Sequence, residues 1–118
     1  MSVNIAKNYY LGKEGYSRMN CAQSVISAFR EKYNLSTDTV ESFGAYGGGR
    51  APDGLCGALY AAMYILEKNA EVEKRNELER YFIDQAGAVK CRDIRACKKI
   101  SCLDCVEKSS EFLDEHEL

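Results

Sequence analysis

The chain has no tryptophan, one histidine (His116) and one proline (Pro52) in 118 residues. A single histidine rules out a His-rich metal site and leaves little room for imidazole acid–base catalysis. A single proline, with no low-complexity tract and no repeat of roughly 20–50 residues, argues against linkers and solenoids. Neither sign of charge is in excess. Sixteen basic and 18 acidic side chains give a net charge of −2, without the domain-wide basic surplus expected of a nucleic-acid binder. The stretch that reads as buried helix, Gly54 to Leu66, is shorter than the ~20 residues a bilayer requires. The first residues, Met1 to Asn8, hold no apolar signal core. The expectation is a cytoplasmic protein with no membrane or nucleic-acid partner.

Alternating β-branched runs are also scarce, and helical periodicity takes their place. Ala22, Val25, Ile26, Phe29 and Tyr33 share one face, with Asn20 as N-cap and Gln23 as its capping-box partner. Ser36 can cap a short helix running through Val40 to Phe43. Leu55 to Lys68 carries Leu59, Met63 and Leu66 on one stripe, with Ala58, Ala62 and Ile65 beside it. Glu71 to Ala86 follows, with Leu78, Tyr81, Phe82 and Ala86 as its apolar face. Cys102 to Leu113 is capped by Ser101 and turns Val106, Ser109, Phe112 and Leu113 inward. Val3 to Glu14 suggests an opening helix interrupted by Gly12 and Gly15. These segments predict one all-α domain over 1–118, a small helical bundle of five or six helices with a glycine-rich loop.

Six cysteines stand at 21, 56, 91, 97, 102 and 105. That is below the ~8–10% typical of a secreted disulfide scaffold. In a reducing compartment such a set points to metal binding or redox work. Cys21 follows the cap Asn20, Cys56 opens the alanine-rich helix, and Cys102 follows the cap Ser101. Unpaired amide N–H groups at helix starts favour thiolate over thiol, and thiolate is the reactive, metal-binding form. Cys97, Cys102 and Cys105 make a C-x4-C-x2-C run, a spacing found in plant-type iron–sulfur proteins. Cys102 and Cys105 alone make a C-x-x-C at a helix start. Lys90, Arg92, Arg95, Lys98 and Lys99 surround this cluster; they would stabilise thiolates, or they form an ordinary solvated loop.

Gly44 to Gly57 runs through Gly47-Gly48-Gly49 into a helix start. It lacks the Gly-Lys-Ser/Thr ending of a P-loop and follows no strand, so nucleotide binding is unsupported. It reads either as a tight crossover between helices or as a loop whose amides wrap a sulfur or cluster.

With Asn20-Cys21-Ala22-Gln23-Ser24-Val25, Phe43-Gly44, Gly47-Gly48-Gly49, Gly54-Leu55-Cys56-Gly57-Ala58, Cys91-Arg92-Asp93 and Cys102-x3-Val106 in this order, the chain resembles the redox-active C_GCAxxG_C_C proteins over most of its length. It departs from the family label in reading Cys56-Gly57-Ala58 for Gly-Cys-Ala, and in having Ala61 where the motif has glycine. Cys97 and Cys105 are additional, which leaves Cys102 and Cys105 as competing fourth residues.

The resemblance implies redox chemistry and fixes no reaction. The first reading is an iron–sulfur cluster for electron transfer held by Cys21, Cys56, Cys91 and Cys102, with amides of Gly48, Gly49 and Gly57 tuning it. The second is thiol–disulfide exchange through Cys102, Cys105 and Cys56. The third is a structural zinc site with four cysteine ligands. A protein redox partner is expected, and a second copy of the chain is a further candidate. Tyr9, Tyr10 and Tyr16 form an aromatic patch that reads as core or dimer contact.

Overall fold

Residues 57–68 form a helix, α4 (Gly57–Lys68), that is apolar almost all round: Ala58, Leu59, Ala61, Ala62, Met63, Ile65 and Leu66 are all buried. Such a helix must be covered on every side. In the computed structural model, which describes residues 2–115, the cover comes from α2 (Cys21–Ala28), α5 (Val72–Ala86) and α7 (Cys102–Glu115). Helix α1 (Ser2–Leu11) lies across α2 and α7, and α3 (Thr37–Ser42) packs beside α2. A seventh helix, α6 (Cys91–Cys97), links α5 to α7. Among the described residues there is no strand, and Leu55 and Lys90 form one isolated antiparallel bridge. The all-α bundle expected from the sequence is observed. His116, the chain's one histidine, lies outside the described residues.

Several helix boundaries differ from expectation. The opening helix stops at Leu11 because Gly12 adopts φ +66° and turns the chain. Helix α2 ends at Ala28 rather than at Tyr33. The residues after it still pack: Phe29 is fully buried, and its ring lies 6.1 Å from that of Tyr33. Helix α6 was not anticipated. It is seven residues long, and Ile94 is its one buried residue, so it has no apolar stripe to detect.

The capping box at α2 is present in full. Gln23 N–H donates to Asn20 Oδ1 at 2.7 Å, and Asn20 N–H to Gln23 Oε1 at 3.4 Å. Asn20 also reaches beyond its own helix, donating from Nδ2 to the carbonyls of Phe43 and Gly44 at 3.3 and 3.1 Å. It therefore ties the start of α2 to the glycine-rich loop. That loop is anchored from below by aromatic packing. The Phe43 ring lies 5.2 Å from Tyr46, 5.8 Å from Tyr60 and 5.1 Å from Tyr64, the last two on α4. Asn20→Ala removes the cap and both loop bonds, and should lower stability by about 2 kcal/mol in urea unfolding.

Candidate functional site

Four cysteines stand at four helix starts. Cys21, Cys91 and Cys102 are the first residues of α2, α6 and α7, and Cys56 is the N-cap of α4. Backbone contacts bring these starts together. Met19 N–H donates to the Tyr9 carbonyl at 3.0 Å, which lays the approach to α2 against α1. Cys56 N–H donates to the Val89 carbonyl at 2.9 Å next to the Leu55–Lys90 bridge, so the start of α4 adjoins the start of α6. At α7, Asp104 N–H donates to Ser101 Oγ at 3.1 Å and Ser101 N–H to Asp104 Oδ2 at 3.0 Å, a reciprocal cap that orients Cys102.

The result is a cavity of about 390 Å³ lined by Cys21, Cys56, Cys91, Cys102 and Cys105. Tyr10, Arg18, Arg95 and Ile94 complete much of its wall, with Gly48 and Gly57 between the sulfurs. Cys56 and Cys105 are buried, whereas Cys21, Cys91 and Cys102 are partly open to solvent. The glycines act by their size and backbone. A Cβ on Gly57 would lie 2.7 Å from Cys21 Sγ and 2.6 Å from the Tyr46 carbonyl oxygen. Gly48 and Gly49 have φ of +64° and +84°, and Gly49 sits against Cys91, with a Cβ there 3.9 Å from its Sγ. The Gly48 amide hydrogen-bonds the Cys21 sulfur.

Amides do face the sulfurs, but they do not make free thiolates. Burial pushes the Cys21 thiol up to about 11, helped by Cys56 and opposed by the N–H groups of Ala58 and Gly48. The hydrogen bond with Cys105, then burial, drives Cys56 well up against the N–H groups of Leu59 and Ala58. Burial also raises Cys91, although Arg95 works in the other direction. The expectation that helix starts favour thiolate therefore fails at Cys21 and Cys56. Loss of hydration and the crowding of like groups outweigh the helix-end amides. Tyr10 and Arg95 line the cavity with Cys102, and the neighbouring sulfur raises the pKa of both, after burial at Tyr10 and first of all at Arg95.

The raised thiol has a consequence for stability. Cys21 ionises near its ordinary value of 9.0 when unfolded and near 11 when folded. Its contribution is complete below pH about 9 and disappears as pH rises toward 11. Unfolding of the reduced, metal-free protein in urea should show a loss of about 2–3 kcal/mol over that interval.

Residues 19–116 match the family model described as "Putative redox-active protein (C_GCAxxG_C_C)". The chain belongs to this family. No curated protein and no solved structure matches it. The match begins at Met19, so α1 and its Tyr10 lie outside the segment that defines a C_GCAxxG_C_C protein.

The structure gathers all four cysteines named for a metal, Cys21, Cys56, Cys91 and Cys102, around one cavity, and adds Cys105. Gly48 and Gly57 line it, and Gly49 backs Cys91. Cys97 is exposed and does not line the cavity, which separates it from the C-x4-C-x2-C grouping. Both cysteines of the C-x-x-C pair line the cavity, Cys105 buried and Cys102 partly open to solvent. Tyr10 was read as part of a core or dimer patch. Tyr9 and Tyr16 do pair, 5.0 Å apart and edge-on, and Tyr10 packs against the core as read while also lining the cysteine cavity. Sequence spacing carries no signal for that, since α1 reaches the cavity only through tertiary packing.

Among the described residues, no three Cys, His, Asp or Glu side chains are close enough to hold one metal ion. Tetrahedral zinc at ~2.3 Å from each thiolate requires sulfurs within about 4 Å of one another. No helix among these residues is long and apolar enough to cross a membrane.

Proposed function

We propose that the five-cysteine cavity holds an iron–sulfur cluster and that the protein is an electron-transfer module. The observation carrying this reading is the convergence of Cys21, Cys56, Cys91 and Cys102, from four separate helix starts, on one cavity of about 390 Å³. A cluster brings its own sulfides and more than one iron, so Cys21, Cys56, Cys91 and Cys102 would share it without all four converging on a single ion. When bound, such a cluster supplies reversible one-electron chemistry. The protein's part is to present four thiolates and surround them with N–H donors. The amides of Gly48 and Ala58 point at Cys21, and those of Leu59 and Ala58 at Cys56. Hydrogen bonds of this kind stabilise charge on sulfur and tune the potential.

The raised thiols fit a ligand role better than a nucleophile role. An attacking cysteine needs a lowered pKa, whereas a coordinating thiol is deprotonated by the metal itself. Loading should therefore release protons and strengthen as pH rises. Anaerobic reconstitution with iron and sulfide tests the reading. A brown protein with charge-transfer absorption and stoichiometric acid-labile sulfide is expected; a colourless protein that retains neither rejects it.

One observation favours a second reading. The Cys56 and Cys105 thiols are both buried, line the same cavity, and interact closely enough that Cys105 is the first cause of the raised Cys56 pKa, a neighbourhood in which a reversible disulfide could form. A metal-free protein that takes up two oxidising equivalents and links Cys56 to Cys105 would support it.

A further inference from the structure

Resting on the electron-transfer reading, we propose that the exposed basic arc built on α6 is the docking surface for a small acidic one-electron carrier protein. The arc comprises Lys90, Arg92, Arg95 and Lys98. Residues 90–99 hold five cations against one carboxylate, Asp93, in a chain whose net charge is −2. The rest of the molecule is therefore acidic, and this positive patch stands out against it.

Its position is what gives it meaning. A second groove, of about 530 Å³, is lined by Lys90, Arg92 and Arg95 with Gly49 and Gly54, and shares Gly48, Cys91 and Arg95 with the cysteine cavity. A third hollow, lined by Lys98, Ile100 and Ser101, shares Ile94, Arg95 and Cys102 with it. Basic side chains thus flank both edges of the cavity beside Cys91 and Cys102, two of its partly exposed sulfurs. Arg95 lines all three hollows and so stands at their junction.

Five cations elsewhere are held in ion pairs, Arg75 with Glu67 among them. Lys7 pairs with Glu107, Lys32 with Asp114, Lys74 with Glu71 and Lys108 with Glu111. Lys90, Arg92 and Lys98 are exposed and form no ion pair among the described residues. Unpaired positive charge beside an open redox edge attracts a partner of opposite sign and orients its approach. Asp53 and Asp93, at the groove's rim, limit the field without reversing it. The exchange served by docking moves one electron, oxidising one protein's centre and reducing the other's, with no bond made or broken.

The test measures binding to an acidic plant-type [2Fe–2S] ferredoxin, with basic cytochrome c as the opposite-charge probe. Both cluster-loaded and metal-free protein are used, so docking is read whether or not a cluster forms. Ferredoxin affinity should fall at least tenfold between about 20 and about 200 mM NaCl. The Lys90→Glu/Arg92→Glu/Lys98→Glu variant should lose at least a further tenfold at low salt and gain affinity for cytochrome c. A matched reversal on the last residue of α4 and on α5, Lys68→Glu/Lys74→Glu/Arg80→Glu, should change either affinity less than threefold. Circular dichroism of each variant separates lost docking from lost folding. Equal binding of the two probes, or equal losses from the two reversals, would overturn the docking surface even in a protein that loads its cluster normally. Failure to load iron with charge-dependent docking intact would instead remove the electron-transfer reading and leave the surface standing.

Discussion

Cys56→Ser is expected to leave a folded protein that cannot retain iron, with affinity down by more than ~100-fold. That exceeds the roughly 10–100-fold cost of removing a contact that merely supports a ligand. Cys56 sits at the cavity floor, buried, as N-cap of α4, with its backbone N–H on the Val89 carbonyl. Serine keeps that backbone bond and most of the volume, so the loss should be confined to the sulfur. Cys97→Ser is the paired control, since Cys97 is exposed and outside the cavity. Iron content and absorption per mole should match the unaltered protein. Equal losses in the two variants would return the site to the C-terminal C-x4-C-x2-C run.

Gly57→Ala should be the most damaging single methyl addition in the molecule, at about 3 kcal/mol by urea unfolding, with the site lost even in the folded fraction. The added Cβ meets the Tyr46 carbonyl oxygen at 2.6 Å, Cys21 Sγ at 2.7 Å and the Ala22 Cβ at 3.2 Å. Backbone oxygen and the first turn of α2 cannot swing aside as a flexible side chain can, so α2 and α4 must separate. Gly48→Ala separates steric from conformational cost. Nothing lies within 4 Å of a Cβ there, and only its φ of +64° is unfavourable. About 1 kcal/mol is expected, with iron binding largely kept.

Most of the fold was legible because local rules and tertiary packing agree. The Asn20–Gln23 box, the Ser101 cap and the apolar faces of α2, α4, α5 and α7 all read directly from spacing. Helix α6 did not, because one buried isoleucine makes no period. Missing it hid the fact that Cys91, like the others, stands at a helix start. The gathering of Cys21, Cys56, Cys91 and Cys102 followed from family resemblance, and the glycine-rich loop is what physically permits it. The ionisation of Cys21 and Cys56 was misread for a definite reason: sequence reveals amides at a helix end, but not the burial and neighbouring sulfurs that outweigh them. Tyr10 and Arg95 show the same limit, since their roles depend on distant elements meeting at Cys102.

The shared cluster is tested most directly by a native alkylation footprint read by mass spectrometry, before and after loading with iron and sulfide. Cys21, Cys91 and Cys102 are open enough to be labelled in the metal-free protein. All three should become protected together, with the same iron dependence, while Cys97 is labelled throughout. Continued labelling of Cys21 and Cys91 in the iron-loaded protein, or protection of Cys97 alongside Cys102, would contradict a single centre held by four helix starts.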